Sequence, residues 1–475
     1  MQQHIDPPPT WPVIIQGGMG VGVSGWQLAR AVARRGHLGV ISGVGCETTL
    51  ARRLQDGDPD GRLRAAMAAF PIPGVADDML RRYFRAGGRG PDEPYQLLPL
   101  YHHAMSPTRV RRLMLGTFVE VWLAKQGHAG AVGINLLTKI QLPTLPALYG
   151  AMLAGVDYVL MGAGIPREIP GVLDALAAHQ RCTLRLDVEQ APAGAVVELE
   201  LDPAAHWSVV PPPLARPRFL AIIASHALAT MLARKATGRV DGFVVEGPTA
   251  GGHNAPPRGE PRRNAAGEPV YGARDVVDLG ALRQLGLPFW LAGGAGHPDR
   301  LRAAQAEGAI GIQVGTLFAL CDESGIAAAL KQSLIAHAAR GEVAIRTDPQ
   351  VSPTGYPFKV VTWPDDPSRG VTRERVCDLG YLRVAYAGPD GKIGYRCPGE
   401  PIDAYLAKGG RREDTVGRRC LCNELIATVG LGQRRDDGAV EPPLVTSGDE
   451  LLRLGAFLAG RDRYAATDVI DYLGG

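Results

Sequence analysis

No apolar run in the 475-residue chain reaches the roughly 18 residues that a membrane-spanning helix needs, so the sequence predicts no membrane segment. An excess of either charge is also missing. Lys and Arg number 51 against 48 Asp and Glu, a net of +3, which supplies neither the basic field that nucleic acid requires nor a polybasic membrane anchor. The expected partners are small molecules. The opening stretch, Met1 to Pro12, has three consecutive prolines and no Lys or Arg, unlike a signal or transit peptide, so the expected location is cytoplasmic. Cysteine is scarce: seven residues in so long a chain build no disulfide scaffold, and an odd number fits reduced thiols.

What is abundant points to a globular enzyme. Hydrophobic residues make up 45% and charged residues 21%, and the length allows a large core, either one large domain plus a smaller one or a decorated barrel. Gly 61 and Pro 38 suit a fold in which many strands end in tight turns at a site.

Short β-branched runs ending in glycine alternate with helical stretches through the first two thirds of the chain. Nine runs qualify as strands: Val13–Gln16, Gly39–Ser42, Val132–Leu136, Tyr158–Met161, Thr183–Val188, Leu220–Ala224, Gly242–Glu246, Phe289–Ala292 and Ile310–Val314. One is surplus to an eight-stranded barrel. Thr183–Val188 alternates apolar and polar residues, as does Val196–Leu201 after a short Pro-Gly link, so these two predict a half-exposed hairpin inserted at about 182–210. The remainder predicts an α/β fold, a TIM (β/α)8 barrel over residues 1–340. A helical insertion at about 48–126 is expected to lie over the barrel mouth as a lid. From 341 to 475 the rhythm stops, and a smaller, α-rich, cysteine-containing extension is expected, ending in a helical tail from Gly448 to Leu473.

The first unit runs Ile14-Ile15-Gln16-Gly17-Gly18-Met19-Gly20 into Val21-Gly22-Val23-Ser24-Gly25. Gly20 to Gly25 satisfies G-x-G-x-x-G, with Glu47 near the distance of a ribose-binding acid, but the motif does not follow the strand directly. A flexible turn with Ser24 capping the next helix explains it equally well. Two later units carry more information. Gly293-Gly294 follows one strand and Gly315-Thr316 the next, the place where barrels commonly bind phosphate through backbone N–H groups and a helix N-terminus. Asp322, Glu323 and Ser324 beside them read as a helix cap. The sixth barrel strand ends Glu246-Gly247-Pro248-Thr249-Ala250-Gly251-Gly252-His253, which aims an imidazole at the mouth, where it can take or hold a proton. His102, His103, His226 and His297 read as ordinary loop histidines.

Taken in order, Gln16-Gly17-Gly18-Met19, Ala250-Gly251-Gly252-His253, Ala292-Gly293-Gly294 and Val314-Gly315-Thr316 resemble the FMN-dependent nitronate monooxygenases and their relatives, the FMN-dependent enoyl-acyl-carrier-protein reductases. The resemblance runs from about Pro12 to Gly325. It implies FMN as cofactor, with Gly17, Gly18, Met19 and Gly20 against the flavin ring and Asn135 hydrogen-bonded to it. Gly293, Gly294, Gly315 and Thr316 would hold the phosphate, with Glu246, Gly251 and Gly252 also beside the cofactor and His253 the catalytic histidine. The implied activity is oxidation of alkyl nitronates with O2. The alternatives are an NAD(P)H-dependent enoyl or flavin reductase and a non-catalytic flavin-binding sensor or assembly subunit. Gln16-Gly17-Gly18-Met19 looks more like the enoyl reductases, and Glu246-Gly247-Pro248-Thr249 stands where the family usually has a glutamine-led sequence. Ser352-Pro353-Thr354-Gly355-Tyr356-Pro357 resembles an extended subgroup.

Cys377, Cys397, Cys420 and Cys422 fall in one short region. Four thiolates suit a structural zinc or an iron–sulfur cluster, but the spacing matches no standard pattern. The expectation is no metal and buried, reduced thiols.

Overall fold

The computed structural model describes residues 11–474, so most of the Met1–Pro12 stretch lies outside the described residues. Eight parallel strands close into a barrel in chain order: β1 (Ile14–Gln16), β2 (Leu38–Ser42), β3 (Val132–Leu137), β4 (Tyr158–Gly162), β5 (Arg218–Ile223), β6 (Gly242–Glu246), β7 (Phe289–Ala292) and β8 (Gly311–Val314). β8 pairs with β1, Ile14 opposite Ile312 and Gln16 opposite Val314. These runs are apolar on both faces because each strand is covered twice. Val40, Leu160, Leu220, Val244 and Trp290 fill the barrel interior, while Ile14, Val132, Val159, Phe219 and Phe243 meet the surrounding helices. The Trp290 indole N–H donates to the Pro12 carbonyl at 2.7 Å, satisfying its polar edge at the closed end.

The surplus strand is the predicted hairpin. Cys182–Arg185 pairs antiparallel with Glu198–Leu201, and Val188–Glu189 runs on to join Val384–Ala387 of the C-terminal extension. Helix Ala328–Ala339 ends at Arg340, where the βα rhythm stops. Beyond it, Ala344–Asp348 pairs with Phe358–Thr362 and Val384–Ala387 with Ile393–Arg396, so the extension is braced by antiparallel pairs as well as by helices. The expected tail helix is broken: a 3-10 turn at Asp449–Arg453, helix Leu454–Leu458, Ala459 in the left-handed region, then helix Ala466–Gly474.

The expected lid is corrected. Helices Cys46–Gln55, Arg62–Ala68 and Val75–Tyr83 lie on the barrel flank with helix Pro107–Ala124, which packs against helices Trp26–Ala33 and Thr144–Leu153. Helix Pro107–Ala124 is the crossover from β2 to β3 and is buried on most of its surface, its enclosed Arg109, Arg112 and Glu120 paired with Glu47, Asp78 and Arg53. The mouth is covered by the extension instead. Gly251 abuts Ser447 and Gly448 so closely that a Cβ on it would lie 2.7 Å from the Gly448 nitrogen. Among the described residues no helix is long and apolar enough to cross a membrane.

Candidate active site

The C-terminal ends of the strands open into a cavity of about 460 Å³, roofed by Tyr356, Phe358, Leu421, Leu444 and Ser447 from the extension. It collects the residues that the family resemblance implied as cofactor-binding or catalytic: Gly17, Gly18, Met19, Gly20, Asn135, Glu246, Gly251, Gly252, His253, Gly293, Gly294, Gly315 and Thr316.

The floor is set by Gln16 and Ser24. The buried Gln16 amide accepts from the Val40 N–H at 3.0 Å and donates to Ser24 Oγ at 2.9 Å, while that hydroxyl donates to the Gly17 carbonyl and accepts from the Met19 N–H, both at 3.0 Å. Ser24 therefore pins the glycine loop and does not cap the next helix. The cap is Gly25, and Glu120 accepts from the Trp26 N–H instead. Gly18 approaches Asn135 so closely that a Cβ would lie 2.5 Å from the asparagine Cβ, and Asn135 Nδ2 donates to the Gly18 carbonyl at 3.2 Å. Glu47, the candidate ribose acid, is buried in an ion pair with Arg109 and does not line the cavity. Glu323 accepts from the Ala466 N–H and so caps the last helix rather than the one that follows it in sequence.

The residues fit a flavin mononucleotide. Asn135 Oδ1 and Gln313 Oε1 are buried at the cavity wall without a hydrogen-bond partner, as acceptors facing the N–H edge of a flavin ring would be. Gly293 and Gly294 have φ of 84° and 65°, turning their backbone into the space. Among the described residues, the N–H groups of Gly293, Gly294, Gly315 and Thr316 donate to no protein acceptor, leaving four donors for a phosphate. One group opposes an anion there. Glu450 accepts from the Gly296 N–H at the start of helix Pro298–Ala306, and burial raises its pKa, which lessens the charge it presents.

His253 is held from the extension. Its Nε2 lies 2.6 Å from Ser352 Oγ, and its ring packs edge-on against Phe358 at 4.8 Å. Ser352 also meets Thr354 Oγ1 at 2.8 Å and accepts from the Thr354 N–H at 3.2 Å. Two tautomers satisfy the contact with Ser352; the one in which the Ser352 hydroxyl donates to Nε2 leaves Nδ1–H as the imidazole donor. Burial pushes the His253 pKa down to about 4, so the ring is neutral across the physiological range.

Glu246 ends β6 and has no hydrogen bond or ion pair among the described residues. Burial raises its pKa to about 7. Cys422 also reaches the cavity wall, and Cys420 lies near it in the fold. All seven cysteines are free thiols, and no group of three or more His, Cys, Asp or Glu among the described residues is arranged to hold a metal.

Sequence reasoning missed Gln313, Ser352 and Glu450. Gln313 had a signal, being the one polar residue in an otherwise apolar strand end; the other two depend on contacts 99 and 154 residues away in the chain.

Residues 213–350, spanning β5 to β8 and His253, match the family model described as nitronate monooxygenase. The match covers 138 of the 475 residues. A nitronate monooxygenase of Pseudomonas aeruginosa is 38% identical over 117 residues, and the match spans 24% of this chain and 30% of that protein. Among solved structures, FabK from Thermotoga maritima superposes with a TM-score of 0.48 at 16% identity, covering 98% of this chain and 91% of that one. A nitroalkane oxidase from Streptomyces ansochromogenes gives 0.46 at 15%, covering 98% and 95%. The matched segment contains Glu246, His253 and the four unpaired backbone donors after β7 and β8, while Gly17–Gly20 and Asn135 lie outside it.

Proposed function

We propose that the protein is an FMN-dependent oxidoreductase that passes a hydride from a pyridine nucleotide to an uncharged, activated carbon–carbon double bond, as in an enoyl thioester. One observation carries the choice of substrate. Among the described residues, the cavity wall holds two carboxylates, Glu246 and Glu450, and no Lys or Arg. A nitronate is a full anion, and moving it into a poorly solvated space without a cation costs several kcal/mol. The backbone donors suited to an anion are grouped at Gly293–Gly294 and Gly315–Thr316, the end that suits the FMN phosphate. An enoyl group brings no charge and meets apolar walls at Leu137, Ile140, Ile165, Ile222 and Leu228.

FMN, when bound, supplies the hydride chemistry. The chain's own residues bind and orient. Asn135 and Gln313 accept from the ring edge, the glycine turns receive the phosphate, and the extension excludes water. Neutral His253, anchored through Nε2, directs its Nδ1–H at the acyl oxygen, where negative charge builds during reduction. Ser352→Ala removes the anchor and is expected to lower turnover roughly tenfold with FMN affinity unchanged, as for one lost hydrogen bond. Imidazole nitrogen NMR should show the tautomer no longer fixed, and Ser352→Thr should restore part of both.

Oxidation of nitronates with O2 is the second reading, favoured by the match of residues 213–350 to the nitronate monooxygenase family. The test is steady-state turnover of FMN-loaded protein. Consumption of NADPH matched by loss of a 2-enoyl thioester supports the first reading. Oxygen uptake and nitrite release with an alkyl nitronate, with no enoyl-dependent NADPH loss, puts the second in its place.

A further inference from the structure

We propose that Glu246 is the group that transfers the proton at the reacting carbon of the substrate, a role distinct from that of His253; this rests on the enoyl-reduction reading above. Glu246 ends β6 with its backbone locked in register opposite Ala292 of β7, and the following Gly247 N–H donates to the Ala292 carbonyl at 3.0 Å. The strand end is fixed, and the side chain opens only to the cavity.

Its isolation sets it apart. The other enclosed acids of this fold have partners: Glu120 takes Arg53 and the Trp26 N–H, and Glu441 takes Arg373 and Arg435. Glu246 is half-buried and has neither a cation nor a hydrogen-bond donor, so the apolar surroundings that desolvate it disfavour its anion with nothing to offset them. That cost buys no stability, and it is relieved by taking up a proton. With its pKa raised by burial to about 7, the carboxyl can both give and recover a proton near neutrality. Neutral His253 has no comparably acidic proton to give. The remaining titratable groups on the wall, Glu450, Tyr356, Tyr381 and Cys422, make no hydrogen bond or ion pair with Glu246 among the described residues: Glu450 accepts from the Gly296 N–H and Tyr381 donates to Thr48.

The step balances as follows. A hydride, drawn from the pyridine nucleotide, forms the new C–H bond at the β carbon. The π electron pair moves to the α carbon and takes the Glu246 proton, so that the carboxyl O–H bond breaks and the α C–H bond forms. The carboxylate regains a proton from water when the saturated product leaves. One hydride and one proton have then been added across the double bond.

The test is Glu246→Gln in the full-length, FMN-loaded chain, a change that keeps the shape and can still be accommodated at a strand end. Protein reduced with NADPH is mixed anaerobically with an enoyl thioester at a series of pH values. Wild type should react fastest below pH ~7 and slow about tenfold per unit above it; the variant should be at least ~10²-fold slower and flat over the same range. Reduction by NADPH moves no proton to carbon, so its rate should fall far less than the rate of reoxidation by the enoyl thioester. A variant that keeps the wild-type rate and the wild-type decline overturns the proposal. If no enoyl thioester reacts with either protein, the enoyl-reduction reading fails, and Glu246 is judged on exchange of the α-hydrogens of nitroethane with D2O by NMR. Exchange by wild type and not by the variant keeps Glu246 as the proton-transfer group, and equal exchange removes it.

Discussion

A Gly315→Asp variant is expected to keep its barrel and lose FMN, the dissociation constant rising about a thousandfold. Gly315 follows β8 with φ of −110°, a conformation open to any residue, so the substitution brings no backbone strain. Its Cβ would meet only the Met19 sulfur, at 3.3 Å, and that flexible side chain can yield. The carboxylate, however, would enter the turn whose N–H groups face the phosphate. Two like charges ~4 Å apart in a partly solvated site repel by about 4 kcal/mol, close to three decades in affinity. Gly315→Ala separates charge from bulk and should weaken binding far less. Quenching of flavin fluorescence reads both variants, and chromatography of the flavin released from wild type should show FMN. Unchanged affinity in Gly315→Asp would move the phosphate away from β7 and β8.

His253→Asn should leave FMN binding intact and reduce kcat by roughly 10² to 10³, the usual cost of removing one donor aimed at developing negative charge. The unpaired backbone donors proposed for the phosphate follow β7 and β8, whereas His253 follows β6, so the proposal assigns binding and chemistry to different turns. The pH dependence separates this role from that of a general base. With a pKa near 4, the wild-type imidazole is neutral throughout the range above pH 5 and contributes no limb there. The variant should therefore be slower by a constant factor, while the decline above pH ~7 set by Glu246 persists. Loss of that decline in the His253 variant would assign the proton to the wrong residue.

The barrel was legible because buried parallel strands write themselves as apolar runs that end in glycine. All eight strands and the inserted hairpin were readable from that pattern alone. That the residues at those strand ends, from Gly17 to Thr316, line one cavity was legible for the same reason: the fold brings strand ends together. The roof was not. Phe358, Ser352 and Ser447 meet His253, Gly251 and Thr316 across stretches of chain whose length carries no pattern, and the short antiparallel pairs of the extension are interrupted by charges such as Lys359 and Asp348. The segment 48–126 looked like a lid because it lacks strands, yet helix Pro107–Ala124 is simply the crossover from β2 to β3. Glu246 was read, from the family resemblance, as a residue beside the cofactor, and it lines the cavity. Its lack of a partner, which changes its chemistry, exists only once the chain is folded.

The most direct test is to mix the FMN-loaded protein anaerobically with NADPH and, separately, with an alkyl nitronate, and to follow bleaching of the flavin. The uncharged-substrate reading predicts rapid bleaching by the pyridine nucleotide, recovery of colour on adding an enoyl thioester, and little response to nitronate. Rapid bleaching by nitronate with none from NADPH or NADH would contradict it.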